Sequence, residues 1–118
     1  MKRFEFFYQS ADNKTKIHAV KWMPEREPVG IIQIAHGVTE YILRYEEFAR
    51  YLTDSGFIVV GNDHLGHGKS IADGAKTMYF GPKGSWKWVV EDIKMLKNIM
   101  VERYPDLPYV MLGFSLGS

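Results

Sequence analysis

The segment with the most specific chemistry is Gly113-Phe114-Ser115-Leu116-Gly117. Glycines two positions either side of a serine relieve crowding where a strand turns sharply into a helix. A serine at such a turn is strained, with positive φ, and its Oγ projects clear of the backbone as a nucleophile toward an acyl carbon. The helix that follows points its first N–H groups at the same spot, which suits a developing oxyanion. The pattern therefore predicts Ser115 as nucleophile and the Leu116 N–H as one oxyanion donor. The competing reading is a glycine-rich turn that only ends a strand.

A second segment, His36-Gly37-Val38, follows an apolar run. Gly37 lets the chain turn close to a ligand, and the Val38 N–H is the expected second oxyanion donor. His36 reads as a structural hydrogen-bonding group rather than a base. A third segment, Asp63-His64-Leu65-Gly66-His67-Gly68-Lys69-Ser70, ends like a phosphate-binding loop. That motif needs glycine five positions before Gly68, where Asp63 stands, and Asp73 and Gly74 interrupt any helix that would hold a phosphate. His64 and His67, without another His or Cys close by, make a poor metal site. A tight loop pinned by hydrogen bonds is the better reading, and no metal or organic cofactor is expected. Glu40, Arg44 and Tyr45 read as helix-start electrostatics with one core aromatic. Trp22, Phe48, Trp86 and Trp88 read as core.

These segments must be positioned by the elements before and after them. Phe4–Tyr8 and Lys16–Trp22 read as strands joined across the turn cluster Ser10-Ala11-Asp12-Asn13. Val29–Ala35 is nearly continuous and β-branched, the pattern of a strand covered on both faces. Tyr45, Phe48, Ala49 and Leu52 share one face of an amphipathic helix that Gly56 ends. Phe57–Val60 is a second buried-type strand, running into Gly61-Asn62-Asp63. From His64 to Gly84 the chain reads as a long loop with five glycines and one proline. Ser85 is placed to cap a helix with Trp86, Val89, Val90, Ile93, Leu96 and Met100 on one stripe, and Pro105 stops it. Tyr109–Leu112 is the third buried-type strand and leads into the serine motif. The order β-β-β-α-β-α-β predicts an α/β domain: right-handed βαβ crossovers in a mostly parallel sheet, fronted by an antiparallel hairpin.

Composition narrows the possibilities further. The chain has 118 residues, 46% of them hydrophobic, enough for one modest core. Fifteen basic residues against fourteen acidic leave a net charge of +1, with no global field to hold nucleic acid or anionic membrane. Cysteine is absent, which excludes a disulfide framework and a thiol nucleophile. No apolar run reaches the roughly 18 residues of a membrane span, and Glu5, Gln9, Asp12 and Asn13 interrupt any secretory leader. A soluble, cytoplasmic protein is expected.

Taken in order, His36–Glu40, Arg44–Ala49, Gly56-Phe57, Asp63–Ser70, Tyr104–Pro108 and Gly113–Gly117 resemble the monoacylglycerol lipase and lysophospholipase branch of the serine α/β-hydrolases. The resemblance covers nearly everything from Val29 on. It implies strand order 1-2-4-3-5, with Ile31–Ala35 between Ile58–Val60 and Tyr109–Leu112. It implies Ser115 as nucleophile, Val38 and Leu116 as the oxyanion hole, and a lipid-like or small acyl ester as substrate. Tyr41 departs from the family, which often has histidine there. In this family the triad acid and histidine lie downstream of the serine. The resemblance therefore implies that residues 1–118 are the N-terminal half of a hydrolase domain, ending just after the elbow and inactive alone. Self-association, or pairing with the C-terminal half, is expected of such a piece. A peptidase of the S33 type or another amide hydrolase is the alternative within the fold. A non-catalytic fragment acting only by association is the alternative outside enzymes.

Overall fold

The computed structural model describes residues 1–37, 41–65 and 86–114. Strands β1 (Lys2–Gln9), β2 (Lys16–Met23) and β3 (Gly30–Ala35) come first. A 3-10 turn at Ile42–Tyr45 leads into helix α1 (Glu46–Asp54), then β4 (Phe57–Asn62), α2 (Trp86–Arg103) and β5 (Tyr109–Gly113). The five strands form one sheet in the order β1-β2-β4-β3-β5, as the resemblance implied. β1–β2 and β2–β4 are antiparallel, whereas β3 runs parallel to both β4 and β5.

The hairpin between β1 and β2 is closed by local hydrogen bonds. Asp12 Oδ1 accepts from the Lys14 and Thr15 N–H groups at 2.8 and 2.9 Å, and Asn13 takes the left-handed conformation with φ of 61°. Partial burial works against the Asp12 carboxylate, but these N–H donors and the Thr15 and Ser10 hydroxyls outweigh it and hold its pKa low.

Strand periodicity divides the core between two faces. Ile58 and Val60 of β4 face α2, where they pack with Ala19, Ile31, Leu96 and Met100. Val59 faces the other way, toward α1, with Val20, Trp22, Ile34, Ile42 and Ala49. The topology requires this. β3 to β4 steps in one direction across the sheet and β4 to β5 steps back over β3, so crossovers of the same hand place their helices on opposite faces. Burying each large aliphatic side chain here contributes roughly 1.5–3 kcal/mol.

Several expectations need correction. The strand begun at Phe57 continues through Asn62. Phe48, expected in the core, is exposed, and the buried residues of α1 are Ala49 and Thr53. On α2, Val90 is exposed and the buried side carries Val89, Asp92, Leu96 and Met100. Trp22 is fully buried, whereas Trp88 is half-buried. Ser85, the expected cap, lies outside the described residues, as does most of the long loop that follows His64.

Two polar residues sit inside the α2 layer. Gln33, in the middle of β3, donates from Nε2 to the Ile93 carbonyl at 3.1 Å and accepts from the Tyr109 hydroxyl through Oε1. Asp92 accepts from Ser10 Oγ at 2.8 Å and from the Ala11 N–H at 2.7 Å, which pins the β1–β2 turn to the helix.

Candidate active site

The parallel strands β3, β4 and β5 bring three chain segments to one edge of the sheet. β3 ends at Ala35 and continues as His36-Gly37; β4 ends at Asn62 and continues as Asp63-His64-Leu65; β5 ends at Gly113. Ala35 and Gly113 are register partners, and the Phe114 N–H donates to the Ala35 carbonyl at 3.0 Å. Phe114 therefore lies against the end of β3, and its ring stacks obliquely on Tyr45 with centroids 5.3 Å apart. Edges formed by the carboxyl ends of parallel strands are where open α/β sheets bind their ligands.

Ser115, Val38 and Leu116 themselves lie outside the described residues. Their immediate neighbours do not. Gly37 and Phe114 follow adjacent, hydrogen-bonded strand ends. Glu40 and His67 also lie outside the described residues. Arg44 is exposed, and Tyr45 is half-buried against Phe114 rather than in the centre of the core.

Behind these strand ends is a buried histidine pair. His36 Nε2 accepts the His64 N–H at 2.9 Å, and its Nδ1 lies 2.7 Å from the Gly37 carbonyl. A nitrogen that accepts cannot also carry the proton, so Nδ1 bears it and donates to Gly37. His64 Nε2 returns a contact to the His36 carbonyl at 3.0 Å, and the two rings are 3.9 Å apart. This reciprocal lock ties the chain after β3 to the chain after β4. It agrees with the structural reading of His36 and with a hydrogen-bonded loop at Asp63-His64.

Asp63 extends the lock. Its Oδ1 accepts the Ile42 N–H at 2.7 Å, which fixes the entry to the 3-10 turn and α1. Its Oδ2 lies 2.7 Å from His18 Nδ1, and His18 Nε2 lies 2.6 Å from Glu5 Oε1. The network Glu5–His18–Asp63–Ile42 thus joins the hairpin to the loops at the site edge. Sequence reasoning placed His18 only in a strand. The alternation of Lys16–Trp22 puts His18 on a definite face, but its partners are 13 and 45 residues away. A shorter link at the start of α1 joins Glu46 to Trp22 Nε1 at 3.1 Å and to Arg3 at 2.8 Å. The Trp22 hydrogen bond, helped by Arg3, keeps the Glu46 carboxyl below the usual range despite some burial.

Residues 26–118 match the family model described as serine aminopeptidase, S33. The chain belongs to this family of α/β-hydrolases. Its relatives include monoacylglycerol lipases. It is 34% identical over 96 residues to the monoacylglycerol lipase of Mycolicibacterium smegmatis, covering 81% of this chain and 32% of that protein. Its identity to the monoglyceride lipase of Homo sapiens is also 34% over 96 residues, covering 81% of this chain and 30% of that protein. The fold matches a thermostable carboxyl esterase from Bacillus coagulans, solved with glycerol, with a TM-score of 0.88 and 38% identity. That alignment covers 99% of this chain and 37% of the esterase. The chain spans about a third of the length of these relatives. The histidine lock and the Asp63 network lie beside the carboxyl ends of β3 and β4, and Phe114 follows the end of β5.

Proposed function

We propose that the protein containing this chain is a serine ester hydrolase acting on a lipid-like or small acyl ester. Ser115 Oγ attacks the acyl carbon, and a histidine downstream of residue 118, oriented by a downstream carboxylate, takes its proton. That histidine then protonates the leaving alkoxide oxygen. Water, deprotonated by the same histidine, cleaves the acyl-enzyme and releases the acid. The Val38 and Leu116 N–H groups hold the oxyanion, each worth roughly 3 kcal/mol in the transition state. No metal or organic cofactor takes part. The single observation that carries this reading is the Phe114–Ala35 hydrogen bond, since it sets the chain leading to Ser115 beside the chain leading to Val38. The names of the relatives, lipases and a carboxyl esterase, favour an ester over an amide. Amide hydrolysis is the second reading, favoured by the description of the matching family as an aminopeptidase.

Residues 1–118, an N-terminal part of the domain, are proposed to be inactive alone and to act in a cytoplasmic setting only with the rest of it. Among the described residues no helix is long and apolar enough to cross a membrane. His18 and His36 are engaged through both ring nitrogens and His64 through Nε2, so these three rings already serve the fold. The test compares the 118-residue chain with the complete protein. A fluorophosphonate probe should label the complete protein, and Ser115→Ala should abolish both labelling and monoacylglycerol hydrolysis. The 118-residue chain should do neither. Ester turnover by the short chain that disappears in Ser115→Ala would place the base within it. Cleavage of peptide amides with no ester turnover would favour the second reading.

A further inference from the structure

A groove of about 670 Å³ lies between the β1–β2 hairpin and the last turn of α2. It opens at the Met23 end of β2, where Trp22 pairs with Val59 near the start of β4. The predicted nucleophile follows the opposite, carboxyl end of β5, so the groove is remote from the reaction centre.

Strand register explains its lining. Lys2 pairs with Met23 and Phe4 with Lys21, so these four side chains share the face that α2 covers. Phe4, Phe6, Met23 and Met100 give the groove an apolar wall, while Lys2, Lys21 and Arg103 stand around it. None of these three cations forms an ion pair with a described residue. Lys21 Nζ instead sits 5.3 Å from the Phe4 ring centre and 5.7 Å from that of Tyr104, and 3.5 Å from the Tyr104 hydroxyl. The Arg103 guanidinium lies 6.0 Å from the same Tyr104 ring. Glu5 is the one acid of the lining, and its carboxylate is taken up by His18 at 2.6 Å and Arg3 at 3.7 Å.

We propose that this groove binds a free aliphatic carboxylic acid, with its carboxylate between Lys21 and Arg103 and its chain along the Phe4–Met100 wall. The volume is in the range of small-molecule sites, whose pattern is an apolar lining with a few convergent polar groups. Two cations and a hydroxyl meeting at one aromatic ring suit a compact anion, and charge-assisted hydrogen bonds to it are the strong kind. The apolar wall beside them requires that the anion carry a hydrocarbon tail. This assignment rests on the groove alone and not on the ester reading, so either can fail without the other.

Calorimetric titration of the 118-residue chain with dodecanoate, below its micellar concentration, tests it. Saturable one-to-one binding is expected, at least about tenfold tighter than that of dodecanol, because the alcohol lacks the charge. Lys21→Glu and Arg103→Glu should each weaken dodecanoate about tenfold or more while leaving dodecanol and the thermal melt unchanged. Lys14→Glu, in the remote hairpin turn, should change nothing. Should Lys21→Glu fail to fold, Arg103→Glu decides the matter, since Arg103 is on the exposed end of α2. Equal affinity for acid and alcohol, or no effect of either charge reversal, would reduce the groove to apolar adsorption and overturn the assignment. So would binding only to phosphatidylglycerol vesicles with none to the free acid, which would make the groove a membrane contact.

Discussion

Asp92 is fully buried on the sheet side of α2, where burial pushes its pKa up to about 6 even though Ala11 and Ser10 donate hydrogen bonds to the carboxylate. A carboxyl with a raised folded pKa binds its proton more tightly folded than unfolded. Its contribution therefore favours the folded state at low pH and is lost as pH rises through about 6. Asp12 and Glu46, held low, work in the opposite direction in more acidic solution. Comparison with a variant separates them. Urea denaturation at a series of pH values between 4.5 and 7.5 should show a component of stability that grows on acidification and is missing in Asp92→Asn. Parallel pH profiles for the two proteins would mean that Asp92 does not titrate in this window. The sequence does not reveal Asp92 as a core residue, because the amphipathic pattern of 86–103 gives that stripe position to Val90. What decides the choice is the turn at Ser10-Ala11, 81 and 82 residues away in sequence. The candidate site divides in the same way. Ser115, Val38 and Leu116 are named by local spacing, which a motif carries by itself. The histidine lock and the Glu5–His18–Asp63 chain are tertiary pairings that spacing does not encode.

At the scale of elements, the strands and the helices between them were legible because buried parallel strands read as continuous apolar runs and the helices have a different period, whereas the strand order came from the family resemblance. Helix faces were less legible. Phe48 fits the apolar stripe of α1, yet the buried surface there is supplied by Ala49 and Thr53. The close approach of Ile42 to the sheet was also invisible, and it depends on Gly61 of β4. A Cβ at Gly61 would lie 2.7 Å from the Ile34 carbonyl oxygen and 3.0 Å from Ile42 Cγ1. The backbone contact cannot be relieved by a rotamer change. Gly61→Ala should destabilise the fold by roughly 1–3 kcal/mol through overpacking. It should also loosen the Ile42 N–H bond to Asp63, which hydrogen exchange at that amide would register. An unchanged denaturation midpoint would show that the 3-10 turn can move off the sheet at little cost. Gly56 serves differently: its φ of 96° lets α1 end and β4 begin without a Cβ in a strained conformation.

For the whole molecule, the unresolved balance is at the β5 edge. Ile32, Ile34 and Val59 are all buried, the last two beneath α1. On β5, by contrast, Val110 and Met111 stand at 51% and 43% of full exposure. Among the described residues β5 pairs only with β3, so its outer N–H and C=O groups face away from the sheet. An apolar edge strand is a template for another strand. Burying one such side chain is worth roughly 1.5–3 kcal/mol, a sizeable part of a small domain's margin of about 5–15 kcal/mol. The 118-residue chain should therefore associate with itself at micromolar concentration, with β5 edges at the contact, unless the strand that completes the sheet is supplied. Sedimentation velocity reads this directly. Species heavier than 13.6 kDa should appear and grow with concentration. Met111→Lys should shift the population toward monomer, because a charged edge resists pairing. On the proposed reading, adding the rest of the domain should do the same by occupying the edge. A monomer of 13.6 kDa at every concentration, with a cooperative melt and no partner, would mean that β5 tolerates an open edge and that residues 1–118 form a self-sufficient unit.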